Sequence, residues 1–338
     1  MIVLYSSSDS YAFLTGISIL SLLESNKNSD FIHIYIMDNH ISNTNKQRLI
    51  EMVKRYKRDI TFVSMPDMEK LTGQKIDTRR WNISTFGRLY MASALPDTVH
   101  KVLNIDCDTL IVDTIEPLWR TEMNDKVVGG MLECINDRYR RNIGKKNGDY
   151  YLNGGIILLN LDEVRLGGYE EKFTNYIIKY GSSLAYLDQD VLNAVIEEER
   201  KMVLPMRYNT LSIYYYASYE QVLKIRRSRK EYFYSEDEFI KAVKNPAIVH
   251  FTSCFLDGLR PWIKGNKHPY LKTFLEYWKK SPWKDFLLLD DNRSFIVKFR
   301  TFFICKMPRN TVCTIASILH GVILPELNFK RMKESIKE

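Results

Sequence analysis

What the chain lacks narrows the choices first. Its five cysteines (Cys107, Cys134, Cys254, Cys305 and Cys313) are an odd set with no CxxC spacing. That pattern speaks against a disulfide framework and a structural zinc site, and for a reducing compartment. The opening MIVLYSSSDS has neither a basic segment nor an apolar stretch of signal-peptide length, so it reads as a first strand, and secretion is not expected. There is no internal repeat, no low-complexity linker and no nucleic-acid module signature, so a nucleic-acid partner is not expected. What is present, 338 residues of 45% apolar content, suffices for one large domain, with or without an appendage.

The net charge is +8, and its placement is uneven. One basic cluster is Lys224, Arg226, Arg227, Arg229 and Lys230, read as a solvated face. From Asp291 onward, nine Lys or Arg stand against four Asp or Glu. Nucleic acid being set aside, an anionic membrane or phosphorylated small molecules are the partners such a charge fits.

Along the chain, strands and helices alternate. Ile2 to Ser6 predicts a strand, Ser7 to Ser10 a polar turn, and Tyr11 to about Glu24 a helix. Phe31 to Met37 predicts a strand covered on both faces, Asn43 to Tyr56 a helix capped by Asn43 or Thr44, and Asp59 to Val63 another strand. Such alternation means βαβ units in a mainly parallel sheet, with ligands outside the carboxyl ends of its strands. Further on, Ser84 to Leu95 predicts a helix carrying Arg88, and Lys126 to Met131 a strand. Gly155 to Leu161 predicts a strand entered through Asn153, Gly154 and Gly155. A helix capped by Asp188 or the residues just before it runs to about Glu197, and Ala247 to Phe251 is a late strand ending near His250. Tyr208 to Tyr216 is aromatic and irregular and has no assigned element.

The segment KVLNIDCDTLIVD, Lys101 to Asp113, places Asp106 and Asp108 between two apolar runs, at the carboxyl end of a buried strand. Carboxylates there suit a divalent cation held against phosphate oxygens. On a straight strand, side chains at i and i+2 lie about 6.6 Å apart, too far for one ion to bridge comfortably. The chain must therefore bend near Cys107, or one carboxylate must act through water or ligand.

Four separated segments together resemble the motif set of glycosyltransferase family 8, which includes glycogenin and the bacterial lipopolysaccharide galactosyl- and glucosyltransferases. They are the Ser-rich turn with Asp9 and Tyr11, the Asp106-Cys107-Asp108 pair, Asn153-Gly154-Gly155 followed by Asp188-Gln189-Asp190, and His250 followed by Arg260-Pro261-Trp262. The resemblance covers roughly residues 1 to 270. It implies an α/β GT-A fold, a UDP-sugar donor, manganese (or magnesium) and transfer with retention of anomeric configuration. Carried over position by position, Asp106, Asp108 and His250 become metal ligands, a donor set that suits manganese. Ser6, Ser8, Asp9 and Tyr11 would hold the uridine, with Tyr11 stacking on uracil, and Cys107 would line the nucleotide site. Arg88 would meet the donor sugar or diphosphate. Arg260 and Lys264 would stabilise charge on the departing phosphate. Asn153, Gly154 and Gly155 would let backbone approach the donor sugar, and Asp188 and Gln189 would lie on the face opposite the leaving group. Retention admits Asp188 as a nucleophile or same-face attack with Gln189 stabilising charge; same-face attack is favoured because an amide is a poor nucleophile. Asp190 reads as a helix-start carboxylate. One departure is the segment SCFLDGL before Arg260, where the family carries a shorter loop and Lys; the two cations differ in geometry.

The domain boundary is expected near residue 285, with 1–285 catalytic and 286–338 a basic amphipathic tail. In that tail Val312, Ile315, Ala316, Leu319, Val322 and Ile323 predict one helical face, and the apolar stretch is shorter than the roughly 20 residues a span needs. Upstream, Phe295 to Ile304 is apolar but interleaved with Lys298 and Arg300, and Lys330, Arg331, Lys333 and Lys337 close the chain. Two readings stand level: attachment to an anionic leaflet, where a lipid-linked acceptor would be met, or a helix packed on the catalytic domain. The location expected is the cytoplasm, peripheral to the inner face of the plasma membrane in the first reading. Two alternatives to transfer remain. IDCDTLIVD also resembles the first motif of haloacid-dehalogenase-type phosphatases, with Asp290-Asp291 as the later acidic pair, and a sugar-nucleotide-binding relative without turnover is the other.

Overall fold

The structure, a computed structural model, describes residues 1–76, 83–256 and 259–334. Lys337 and residues 257–258 of the SCFLDGL segment lie outside the described residues.

Among the described residues ten strands make two sheets. In chain order they are β1 (Ile2–Ser8), β2 (His33–Asn39), β3 (Asp59–Ser64), β4 (Lys101–Ile105), β5 (Thr109–Ile111), β6 (Val128–Leu132), β7 (Leu152–Asn160), β8 (Lys201–Val203), β9 (Thr210–Leu211) and β10 (Ile248–His250). The large sheet has the order β3-β2-β1-β4-β7-β6-β8. It is parallel except around β7, which runs antiparallel to both β4 and β6. The small sheet has the order β5-β10-β9.

Alternation of side chains explains why the central strands are apolar throughout. Val3, Tyr5, Leu103 and Ile105 enter the core on one face, while Leu4 and Val102 enter the core on the other. Both faces are dry, and each large aliphatic side chain so buried contributes about 1.5–3 kcal/mol. A mostly parallel sheet with helices on its flanks is the GT-A-like architecture expected.

Local differences have local causes. The helix Asn43–Arg55 is capped by Ser42, whose hydroxyl accepts from the Asn45 amide, so neither Asn43 nor Thr44 is the cap. Arg88 sits in a 3-10 segment, Ile83–Tyr90, that passes into a short α-helix, Met91–Ala94, in place of one α-helix. The Asn153-Gly154-Gly155 run lies inside β7, not before it. The helix Leu187–Val195 places Asp188 in its first turn. No side chain caps this helix, and Asp190, inside its first turns, accepts from the Ala185 and Tyr186 amides that lead into it. Tyr208 to Tyr216 resolves into the end of one 3-10 turn, the short strand β9 and a second 3-10 turn.

The carboxyl-terminal segment is helical and packs on the domain. Arg309 to Glu334 forms one 26-residue helical run, long and apolar enough by length and composition alone to cross a membrane. This is longer than the sequence reading allowed. Val312, Cys313 and Ala316 are buried, whereas Ile315, Leu319 and Ile323 are exposed, so the expected face is in fact two adjoining stripes and only one meets the domain. Pro325 lies inside this run, where its missing N–H leaves the carbonyl four residues back without its helical donor. The run widens into a π-turn at Leu319–Ile323, and Asn136 Nδ2 donates to the Gly321 carbonyl at 3.0 Å. Asn142 likewise donates to the Pro325 carbonyl, and Arg138 and Arg141 pair with Glu326. The preceding helix, Phe295–Lys306, has no buried residue.

Candidate active site

Topology brings the sequence motifs to one edge of the sheet. The chain leaves β4 at Ile105 and enters β5 at Thr109, so Asp106, Cys107 and Asp108 form a tight turn and the bend the spacing required is present. Thr109 Oγ1 donates to the Asp106 carbonyl at 2.8 Å and secures that turn. Because β7 is antiparallel to β4, its first residues lie beside the turn, and the Asp106 amide donates to the Gly155 carbonyl at 2.8 Å. Because β10 is antiparallel to β5, His250 lies opposite Thr109, and the Phe251 amide donates to the Asp108 carbonyl. Asp106, Asp108 and His250 thus converge, with one potential ligand atom from each lying within 4.8 Å of the others. Two carboxylates and an imidazole fit a divalent cation of the manganese or magnesium kind.

Cations surround this cluster. Arg88 places its guanidinium 2.8 Å from Asp106 Oδ1 and 2.9 Å from Asp188 Oδ2, and donates to the Gly154 carbonyl at 2.5 Å. Its side chain is only 11% exposed. Arg260 approaches Asp108 Oδ2 at 3.4 Å, and His250 Nε2 lies 3.2 Å from Asp108 Oδ1 and 3.7 Å from Asp106 Oδ2.

Burial and charge act against each other on the titratable groups. Burial alone would raise the Asp108 pKa, but His250 and Arg260 outweigh it and hold the carboxyl down to about 2. For Asp106 burial prevails over Arg88 and His250, and the pKa is raised. Burial would depress His250, yet Asp108 and then Asp106 carry it above the ordinary imidazole value. Asp188 is pushed up to about 7 by burial, with Arg88 opposing.

The remaining sequence-predicted residues separate into those at the site and those away from it. Gln189 Oε1 accepts from the Gly154 amide at 2.8 Å, which fixes the amide beside Asp188. Cys107 donates to the Ser6 carbonyl and so ties the end of β1 to the Asp turn. Asp9 accepts from the Ser42 amide and Asn45 Nδ2, both at 2.8 Å, and Ser8 Oγ is 3.1 Å from Ser10 Oγ. Tyr11 is 43% exposed. The glycines are closely approached by protein side chains. A Cβ on Gly155 would lie 2.3 Å from the His250 ring, and one on Gly154 would touch Gln189 and Asp188, so they admit protein side chains. Lys264 pairs with Asp290 at 2.7 Å instead of joining the cluster. Asp291 pairs with Arg293, so both acidic residues required by the phosphatase reading hold surface cations.

Asn209 and Glu133 were not among the sequence candidates. Asn209 bridges His250 Nδ1 and Asn153, and Glu133 accepts from Asn153. Asn209 sits in the aromatic stretch that had no assigned element, where no sequence signal marks it out.

A sequence profile described as "Glycosyl transferase family 8" matches residues 2–264. The chain belongs to this family. General stress protein A of Bacillus subtilis (strain 168) is 23% identical over 278 residues, covering 81% of this chain and 92% of that protein. Lipopolysaccharide 1,2-glucosyltransferase of Escherichia coli (strain K12) is 22% identical over 289 residues, covering 84% and 79%. Among solved structures, the galactosyltransferase LgtC in complex with donor and acceptor sugar analogs superposes with a TM-score of 0.68 at 20% identity, covering 89% of this chain and 100% of that one. The family 8 chain described here is accordingly a glycosyltransferase with a GT-A-like fold.

Proposed function

We propose that the chain is a retaining hexosyltransferase that moves galactose or glucose from a UDP-sugar to a saccharide acceptor in cell-envelope polysaccharide or lipopolysaccharide synthesis. The observation that carries the reading is the convergence of Asp106, Asp108 and His250 at one strand edge, with Arg88 and Arg260 beside them. The names of the Escherichia coli and LgtC relatives support the sugar class and the acceptor class.

A divalent cation, manganese or magnesium, when bound by these three side chains, supplies positive charge to the oxygens of the leaving diphosphate. Arg260 adds a second cation on the same side, more valuable as charge develops than before it. Tyr11, exposed in the 3-10 turn that follows β1, offers a face for uracil beside the Ser6 to Asp9 turn. Arg88 locks Asp188 and Asp106 to the Gly154 carbonyl, so the floor of the sugar site is fixed before a donor arrives. Asp188 is committed to that ion pair and its pKa is raised to about 7, and the Gln189 oxygen is committed to the Gly154 amide. Neither is poised as a nucleophile, which supports same-face attack by the acceptor hydroxyl.

The tail supports work at a membrane. Phe295, Ile296, Phe299, Phe302 and Phe303 are all exposed, Phe295 by 79%, and Lys298, Arg300 and Lys306 lie on the same helix. An exposed aromatic helix with cations suits the anionic inner leaflet, where a lipid-linked acceptor is met. In this reading residues 286–338 are an appendage of a catalytic unit spanning 1–285, and the enzyme is cytoplasmic and peripheral.

The test is a panel of UDP-hexoses and acceptor saccharides with manganese, the product configuration being read by NMR of its anomeric proton. Transfer from UDP-galactose or UDP-glucose with retention is expected. UDP binding without transfer across the panel would favour the non-catalytic alternative, and phosphate-ester turnover with magnesium but no response to UDP the phosphatase.

A further inference from the structure

We infer that Asn209 is the positioning residue that sets the orientation and tautomer of His250, presenting Nε2 to the cation; this rests on the metal reading of the Asp106, Asp108 and His250 cluster. Four groups form a chain, of which Asn153, Asn209 and His250 are buried. Glu133 Oε2 accepts from Asn153 Nδ2 at 2.5 Å, Asn153 Oδ1 accepts from Asn209 Nδ2 at 2.7 Å, and Asn209 Oδ1 lies 2.9 Å from His250 Nδ1. The Gly155 amide also donates to Asn153 Oδ1, at 2.9 Å.

The Gly155 amide dictates every direction along the chain. A backbone N–H can only donate, so the Asn153 atom facing Gly155 is its oxygen, and the atom facing Glu133 is the Asn153 nitrogen. Asn209 must then offer its NH2 to Asn153 and its oxygen to the ring. His250 Nδ1 consequently carries a hydrogen, and the second bond of the imidazole is made through Nε2. That nitrogen is the one beside Asp108 and Asp106, at 3.2 and 3.7 Å. An imidazole lone pair among two carboxylates places three acceptors around one point, which is the donor set of a cation.

The ring has little freedom to choose otherwise. Asn209 is 2% exposed, Asn153 8% and His250 5%. The backbone of β7 closes on the ring so tightly at Gly155 that only a glycine fits. An amide oxygen held this way costs no reorganisation when the metal arrives, and outer partners of metal-bound histidines typically account for about 10–100-fold in affinity.

The test titrates Mn2+ in the presence of UDP, following the free-ion electron paramagnetic resonance signal, for the wild type and for Asn209→Leu, which keeps the volume and removes the acceptor. An affinity weaker by about 10–100-fold is expected; an affinity within twofold of wild type in a folded variant overturns the inference. A second measurement does not depend on the variant folding. In the wild type with Mg2+ and UDP, the ¹⁵N shifts of the His250 side chain are expected to show a protonated Nδ1 and a bare Nε2. The reverse pattern overturns the inference. Should the wild type itself bind no divalent cation with UDP, the metal reading fails, a result distinct from equal binding by both proteins.

Discussion

The strand-edge site and the carboxyl-terminal tail depart from ordinary protein anatomy in opposite directions. At the site the chain buries charge, with Arg88, Asp108, Asp188 and His250 all shielded and each tied to a named partner. In the tail it exposes apolar surface, with a 12-residue helix on which Phe295, Ile296, Phe299, Phe302 and Phe303 are in solvent and no residue is buried. Buried ions and exposed phenylalanines both cost stability, and both mark surfaces meant for something other than water. The difference is in what completes them. In the proposed function the site would be completed by a cation and a nucleotide, and the exposed face of the Phe295–Lys306 helix by an anionic leaflet.

The largest effect is expected where the inner half of this contrast is broken. Arg88→Met leaves the buried Asp106 and Asp188 carboxylates without their cation. A loss of transfer on the order of 10³-fold is expected, with destabilisation of about 3–5 kcal/mol; steady-state kinetics and urea unfolding measure the two. Breaking the outer half comes next. Phe299→Ser with Phe303→Ser should lower binding to phosphatidylserine vesicles by about 10-fold or more in a sedimentation assay, while turnover of a soluble acceptor is unchanged. Equal vesicle binding by the double variant would remove the membrane role of this helix.

The joint between the two regions should give a smaller effect. Asn136→Ala strips the Gly321 carbonyl of its donor and uncaps the helix Asp137–Asn142, and is expected to cost about 1–3 kcal/mol. Faster amide exchange along Arg309–Glu334 would locate the damage. Smallest is a pH effect. His320 stacks on Phe255, and burial, followed by Arg226 and Arg300, lowers its pKa from 6.5 to about 4. The unfolded chain therefore binds a proton that the folded chain refuses between those values. Stability from this group is complete above pH 6.5 and is lost as pH falls toward 4. His320→Leu should show a smaller drop in melting temperature from pH 7.5 to pH 5 than the wild type; an equal drop would contradict the assignment.

Much of the site was legible in the sequence because each part announces itself locally. Asp106 and Asp108 stand between apolar runs, and His250 ends one. The order of these segments then fitted a parallel sheet whose strand ends converge. Asn209 was not legible, since its meaning lies in His250, 41 residues on, and Asn153, 56 residues back. The crowding at Gly154 and Gly155 was not legible for the same reason: the groups that press on them come from other elements. Lys264 was assigned by motif position, but Asp290, from a segment with no motif, takes its ammonium. In the tail the helical period was read correctly, yet the apolar arc is wide enough that Val312 and Ala316 face inward while Ile315 and Leu319 face out. The π-turn that accommodates Pro325 is a tertiary adjustment that periodicity alone does not carry.

In the proposed function Asp106, Asp108 and His250 together hold a divalent cation that grips a nucleoside diphosphate. Calorimetric titration of UDP into the wild type and Asp108→Asn, each with and without Mn2+, tests it most directly. Tight UDP binding is predicted for the wild type with Mn2+ only, with Asp108→Asn folded and unable to respond to the metal. UDP affinity in the wild type that is the same with and without Mn2+ would contradict the account.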